Sequence, residues 1–147
     1  MEKKLSIASL LLRIGLGITF LSAVAGRFGF WDESTGWHDF LEYTASVNSF
    51  VPKGIVPVLA VSATVLETMF AVLLIIGYKT RLVALGASIL TLLFGLAMAY
   101  SFGLKSPLDY SVFVDCTAAF LLASIPRYEL SLDDYINKKH QKALSSI

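Results

Sequence analysis

The stretch LETMFAVLLIIGYKTRLVAL, residues 66–85, decides the reading of this chain. Two apolar runs meet at a short basic turn, GYKTR, at Gly77–Arg81. Gly77 suits the left-handed conformation that ends a helix, so the turn reads as a tight hairpin between two helices. Followed outward, the first run reaches back to Ile55 and the second forward to Phe102. Each approaches the roughly 20 residues that a helix needs to cross a hydrocarbon core. Two further runs of similar length lie at Leu5–Ala25 and Pro107–Ile125. The composition agrees. Hydrophobic residues make up 56% and charged residues 16% of the 147, against roughly 45–50% and about 25% in soluble domains. The expected fold is therefore all-α: one integral membrane domain, residues 1–147, bundling four spans. An outer loop at 26–54 and a tail at 126–147 complete it.

Charge sets the orientation. Lys3, Lys4, Lys79, Arg81, Arg127, Lys138, Lys139 and Lys142 fall on one side of such a bundle, and Arg27, Lys53 and Lys105 on the other. The basic side faces the cytoplasm, so both termini are expected inside. A net charge of +1 gives no field to recruit nucleic acid. The single cysteine, Cys116, excludes an internal disulfide and a dithiol motif. Lys3-Lys4, the first apolar run and Ala23-Val24-Ala25 also resemble a cleavable secretory signal, but Arg13 inside the apolar region argues for a retained span.

The connections carry their own signals. Trp37, Phe40, Leu41, Thr44 and Val47 recur at helical spacing. They predict a short amphipathic helix in the outer loop, either an interfacial anchor or a lid over a cavity. His38 reads as a surface residue rather than a metal ligand. Ser106, Pro107 and Asp109 have the spacing of a capping box opening the fourth span, and Pro126 stops it. Ser131–Asp134, SLDD, reads as the cap of a polar tail helix. That tail is expected to be either a solvated, topology-setting element or one lying on anionic headgroups. Ala84, Ser88, Thr91, Gly95 and Ala99 form a small-residue stripe suited to close helix packing, within the bundle or in a homo-oligomer.

Three ionisable residues lie inside the runs: Arg13, Glu67 and Asp115. Charges in lipid are costly, so they face the bundle interior and pair. At about 1.5 Å per residue they lie roughly 12, 15 and 16 Å from the inner ends of their runs. That common depth predicts Arg13 held by Glu67, Asp115 or both. Ser6, Ser9 and Gly17 share the Arg13 face. Ala60, Thr64 and Ala71 share the Glu67 face, and Ser111, Ala118 and Leu122 the Asp115 face. The cluster is either an ion network that fixes helix orientation or a polar pocket of Arg13, Thr64, Glu67 and Asp115. Such a pocket has one acid in excess, which can hold a proton and donate to a carbonyl, including that of a quinone.

With LLLRIGLGITFLSA, LETMFAVLLIIGYKTRLVAL and YELSLDDYI in order, the chain resembles the DoxX family of small membrane proteins. That family includes the DoxD-like subunits of thiosulfate:quinone oxidoreductase. The resemblance implies a four-helix membrane bundle, associated in some members with redox complexes at the bacterial cytoplasmic membrane; the family is functionally mixed. It carries over to Arg13, Glu67 and Arg81. The expected function is a membrane subunit of an oxidoreductase complex that contacts quinone, with no intrinsic cofactor or metal. Its partners are the lipid bilayer and oxidoreductase subunits. A carrier of protons or small solutes and a non-catalytic assembly or stress-response factor are the alternatives. No nucleophile–base pair supports a standalone enzyme.

Overall fold

The computed structural model describes residues 2–31 and 36–144. Residues 32–35 of the outer loop and 145–147 of the tail lie outside the described residues. The described chain is helical: α1 (Glu2–Arg27), α2 (Trp37–Val47), α3 (Val56–Ile76), α4 (Thr80–Phe102), α5 (Lys105–Asp109), α6 (Val112–Ser124) and α7 (Leu132–Leu144). A 3-10 turn, Lys53–Ile55, leads into α3. Three helical stretches, Lys3–Arg27, Lys53–Ile76 and Thr80–Phe102, are long and apolar enough to cross a membrane. Their outer faces carry Leu11, Ile18, Val58, Val65, Leu82 and Leu93, all exposed. A continuous apolar exterior on this scale marks a surface made for lipid.

The α3–α4 hairpin forms as the sequence predicts. Gly77 adopts φ +76° and its N–H bonds the Leu73 carbonyl at 2.8 Å. Two reasons make it glycine. The left-handed conformation is strained for other residues, and a Cβ there would lie 2.5 Å from the Arg13 Nη2 and 2.6 Å from the Ser131 Cβ.

Small residues set the helix spacing. Ala84, Ser88 and Gly95 of the predicted stripe are buried. A Cβ on Gly95 would meet Phe113 at 3.0 Å and Val112 at 3.2 Å, and the Ser88 hydroxyl donates to the Cys116 carbonyl at 3.0 Å. The stripe thus packs α4 against α6 of the same chain. On the other side Gly17 brings α1 against α3, within 3.1 Å of the Ala71 carbonyl for an added Cβ. Leu16, Phe20, Ala71, Leu74, Ala87, Ala119 and Leu122 fill the space between these pairs.

One register decides where the site lies. Arg13 lies opposite Leu74 and Ile75, near the end of α3. The antiparallel α1 is therefore displaced toward the end of the bundle that carries both its own start and the tail. It runs out at Arg27 beside Thr64 and Glu67, halfway along α3. The outer half of α3 is left uncovered by α1, and α2 lies there instead. Helix α2 forms over the predicted residues, with Thr44 and Val47 buried. Val47 joins Ala97, Met98 and Val112 in a second apolar cluster.

The fourth apolar run differs from expectation. It is not one helix opened by a capping box. Ser106 and Pro107 lie inside the five-residue α5, and Asp109 accepts from Lys105 instead of completing a cap. Ser111 then takes φ +56°, and the 13-residue α6 sets off in a new direction. An apolar pattern fixes which residues avoid water; it does not encode a reversal of one backbone angle. The turn brings Val112 and Cys116 onto Gly95 and Ser88.

Candidate ligand cavity and the buried charges

Arg13 is 1% exposed, and neither Glu67 nor Asp115 holds it. Its Nε donates to the Leu74 carbonyl at 3.0 Å, its Nη2 to the Ile75 carbonyl at 3.2 Å and its Nη1 to the Leu130 carbonyl at 3.3 Å. Leu74 and Ile75 belong to the last turn of α3, where carbonyls have no intrahelical donor and the helix dipole is negative. Leu130 stands at φ +59°, a conformation that costs roughly 1–2 kcal/mol. Arg13 therefore joins α1, the end of α3 and the segment before α7. The shared depth expected for Arg13, Glu67 and Asp115 fails for a definite reason. Counting from Leu5 holds only for helices that end level, and α1 is displaced along its neighbour.

Nearby contacts make this a knot. Ser6 donates to Glu129 at 2.6 Å, and Ser6, Ser9, Arg13 and Gly17 are all buried, as their shared face predicts. Asp133 accepts from the Lys79 and Thr80 amides at 2.8 and 2.9 Å, capping α4 from a distance of more than 50 residues in sequence. Ser131 caps α7 as expected, its hydroxyl accepting from the Asp134 N–H at 3.1 Å.

Glu67 has a different partner, Arg27. The Arg27 Nη2 lies 2.5 Å from the Glu67 Oε2, with the two side chains 10% and 15% exposed. Its Nη1 donates to the Thr64 hydroxyl at 2.8 Å, and the guanidinium sits 4.0 Å from the centre of the Phe40 ring. Arg27 reads in sequence as an outer-loop residue. In the fold it is the last residue of α1, turned inward before the chain leaves the helix through Gly29 at φ +74°.

These groups border a cavity of about 540 Å³ beneath α2. Thr19, Phe20, Ala23 and Arg27 come from α1, and Asp39, Phe40 and Tyr43 from α2. Ala63 and Glu67 come from α3; Leu90, Thr91, Phe94 and Met98 from α4; Val112 and Asp115 from α6. Of the four residues expected to form the pocket, Glu67 and Asp115 line it. Thr64 stands behind it, bonded to Arg27, and Arg13 is elsewhere. Phe40 comes from the helix expected as an anchor or a lid, while Arg27 and Tyr43 were missed as wall residues. His38 points outward to Glu42 at 3.3 Å. Asp115 is half-buried and has no ion-pair partner among the described residues. The Thr91 hydroxyl donates to the Ala87 and Ser88 carbonyls, leaving its oxygen to accept. Burial, then the Tyr110 phenol, pushes the Tyr43 phenol up, so Tyr43 remains a neutral donor. The walls are predominantly apolar and aromatic, with a few polar groups converging from three sides. Sites that hold amphipathic small molecules are built this way.

A comparison with known families matches DoxX over residues 8–100. The chain belongs to the DoxX family. The matched region of this DoxX protein runs from α1 into α4 and contains Arg13, Arg27, Thr64 and Glu67. Asp115 and the YELSLDDYI segment lie beyond it. Comparison with curated proteins and with solved structures gives no match.

Proposed function

We propose that this DoxX protein is the membrane subunit of an oxidoreductase complex and holds a quinone-type molecule in the cavity beneath α2. The observation that carries this reading is the cavity itself. It has the volume of a small-molecule site, aromatic side chains at Phe20, Phe40, Tyr43 and Phe94 to flank a planar ring, and Asp115 facing inward with no ion-pair partner among the described residues. Asp115 and Tyr43 are the groups placed to hydrogen-bond a carbonyl or hydroxyl on that ring. The Arg27–Glu67 pair orients α1 on α3 and closes one side. The protein carries no electrons of its own in this account. A partner subunit supplies or removes them, and the bound ring exchanges protons with the groups around it.

In the same reading the chain crosses the bacterial cytoplasmic membrane four times, with α5–α6 as the last crossing and both termini inside. Arg27 leaves the outer set of basic residues once it is buried, so the bias sharpens to eight against two, Lys53 and Lys105. The cavity then opens on the outer half of the bilayer.

The test is extraction. Protein purified gently from its own membrane is extracted with organic solvent and the extract analysed by mass spectrometry, alongside Asp115→Leu and Glu67→Gln. A near-stoichiometric quinone in the wild type, depleted in Asp115→Leu, is expected. A folded wild type with no bound small molecule overturns the reading.

A further inference from the structure

Helix α7 is inside out for a protein helix. Asp133, Asp134, Asn137, Lys138 and Gln141 turn toward the chain and line a crevice with Pro126–Glu129. The opposite side carries Leu132, Tyr135 and Ile136, which are 37%, 66% and 41% exposed. Lys139 falls on that same side, one helical turn beyond Tyr135 and Ile136. A helix that packs on a protein core turns its apolar stripe inward. Here the stripe lies on the side away from the crevice and stays partly uncovered, with Tyr135 two-thirds exposed.

The root of the helix is fixed. The Asp133 carboxylate accepts from the Lys79 and Thr80 amides, and the Asp133 N–H donates to the Gly77 carbonyl at 3.0 Å. α7 therefore starts level with the α3–α4 turn, where the lipid-facing surface of the bundle ends at Ile76 and Leu82. Exposed basic residues crowd this end: Lys3, Lys4, Lys79, Arg81, Arg127, Lys138 and Lys139.

We propose that α7 lies in the plane of the membrane, with Leu132, Tyr135 and Ile136 sunk among the headgroups of an anionic leaflet. An amphipathic helix with a lysine beside its apolar stripe and a basic surface at its root binds such a leaflet through buried area plus attraction to anionic lipid. Lys139 extends its methylenes along the apolar layer and leaves its ammonium among the phosphates. The polar crevice stays on the water side.

The test uses the full chain with Cys116, its sole cysteine, replaced by serine. Ile136→Cys and Asn137→Cys are each labelled with an environment-sensitive fluorophore. The proteins are reconstituted in vesicles of phosphatidylcholine alone, or with about one-third phosphatidylglycerol. The expected result is a blue-shifted probe at position 136, quenched by spin-labelled lipid, beside a water-exposed probe at 137. The contrast should grow with phosphatidylglycerol and shrink when Lys139→Gln is added. Equal water exposure at both positions in both vesicles overturns the proposal. So does a probe at 136 that stays wet in pure lipid and dries only when other membrane proteins are supplied, which assigns the face to a protein partner.

Discussion

Arg13 and Arg27 are one residue type on one helix, buried by two different mechanisms. Arg13 is solvated by carbonyls that the end of α3 and Leu130 cannot otherwise satisfy; Arg27 is neutralised by Glu67. Double-mutant cycles separate the two. Arg27→Met with Glu67→Gln should show a coupling energy of about 1 kcal/mol or more in denaturant unfolding. Arg13→Met with Glu67→Gln should be additive within about 0.5 kcal/mol. A large Arg13–Glu67 coupling would restore the pairing that the sequence invites. Arg13, Glu67 and Asp115 are visible at once as charges in apolar runs, whereas Arg27, just past the end of its run, is not. Sequence reasoning paired the three wrongly, because the relative height of two helices depends on which side chains interlock. Gly17 against Ala71 and Ile75 sets that height, and nothing in either run announces it.

At the scale of elements, periodicity served where a helix has two distinct faces. Helix α2 was legible from Trp37 to Val47, and α7 from its serine cap, because their polar and apolar residues alternate at helical spacing. The break at Ser111 was not legible, since both sides of it are apolar. Glycines show the same divide between pattern and packing. Gly15 and Gly95 look alike in sequence, yet a Cβ on Gly15 meets nothing within 4 Å whereas one on Gly95 meets Phe113 and Val112. Gly15→Ala should leave thermal stability unchanged or raise it by up to about 1 kcal/mol, as helix preference dictates. Gly95→Leu should cost about 1–3 kcal/mol or more by forcing α6 off α4. Thermal unfolding in detergent reads both. Equal effects from the two would mean that the α4–α6 contact does not depend on the small-residue stripe.

For the whole molecule, the axial displacement of α1 links the buried knot to the cavity. It puts Arg13 at the knot that ties down the tail, and it brings α1 to an end halfway along α3. The vacancy is roofed by α2 and leaves the cavity between Phe40, Phe94, Glu67 and Asp115. Sequence alone located two of the residues around that vacancy but not the vacancy itself, which exists only once the helices are staggered. The most direct measurement is photolabelling of the reconstituted protein with a short-chain quinone bearing a photoreactive group, followed by peptide mapping. Label concentrated on Phe40–Tyr43 and Phe94–Met98, and suppressed by excess unlabelled quinone, is the predicted result. Label spread over the lipid-facing positions Leu82, Leu93 and Phe120, and indifferent to competitor, would contradict a quinone site beneath α2.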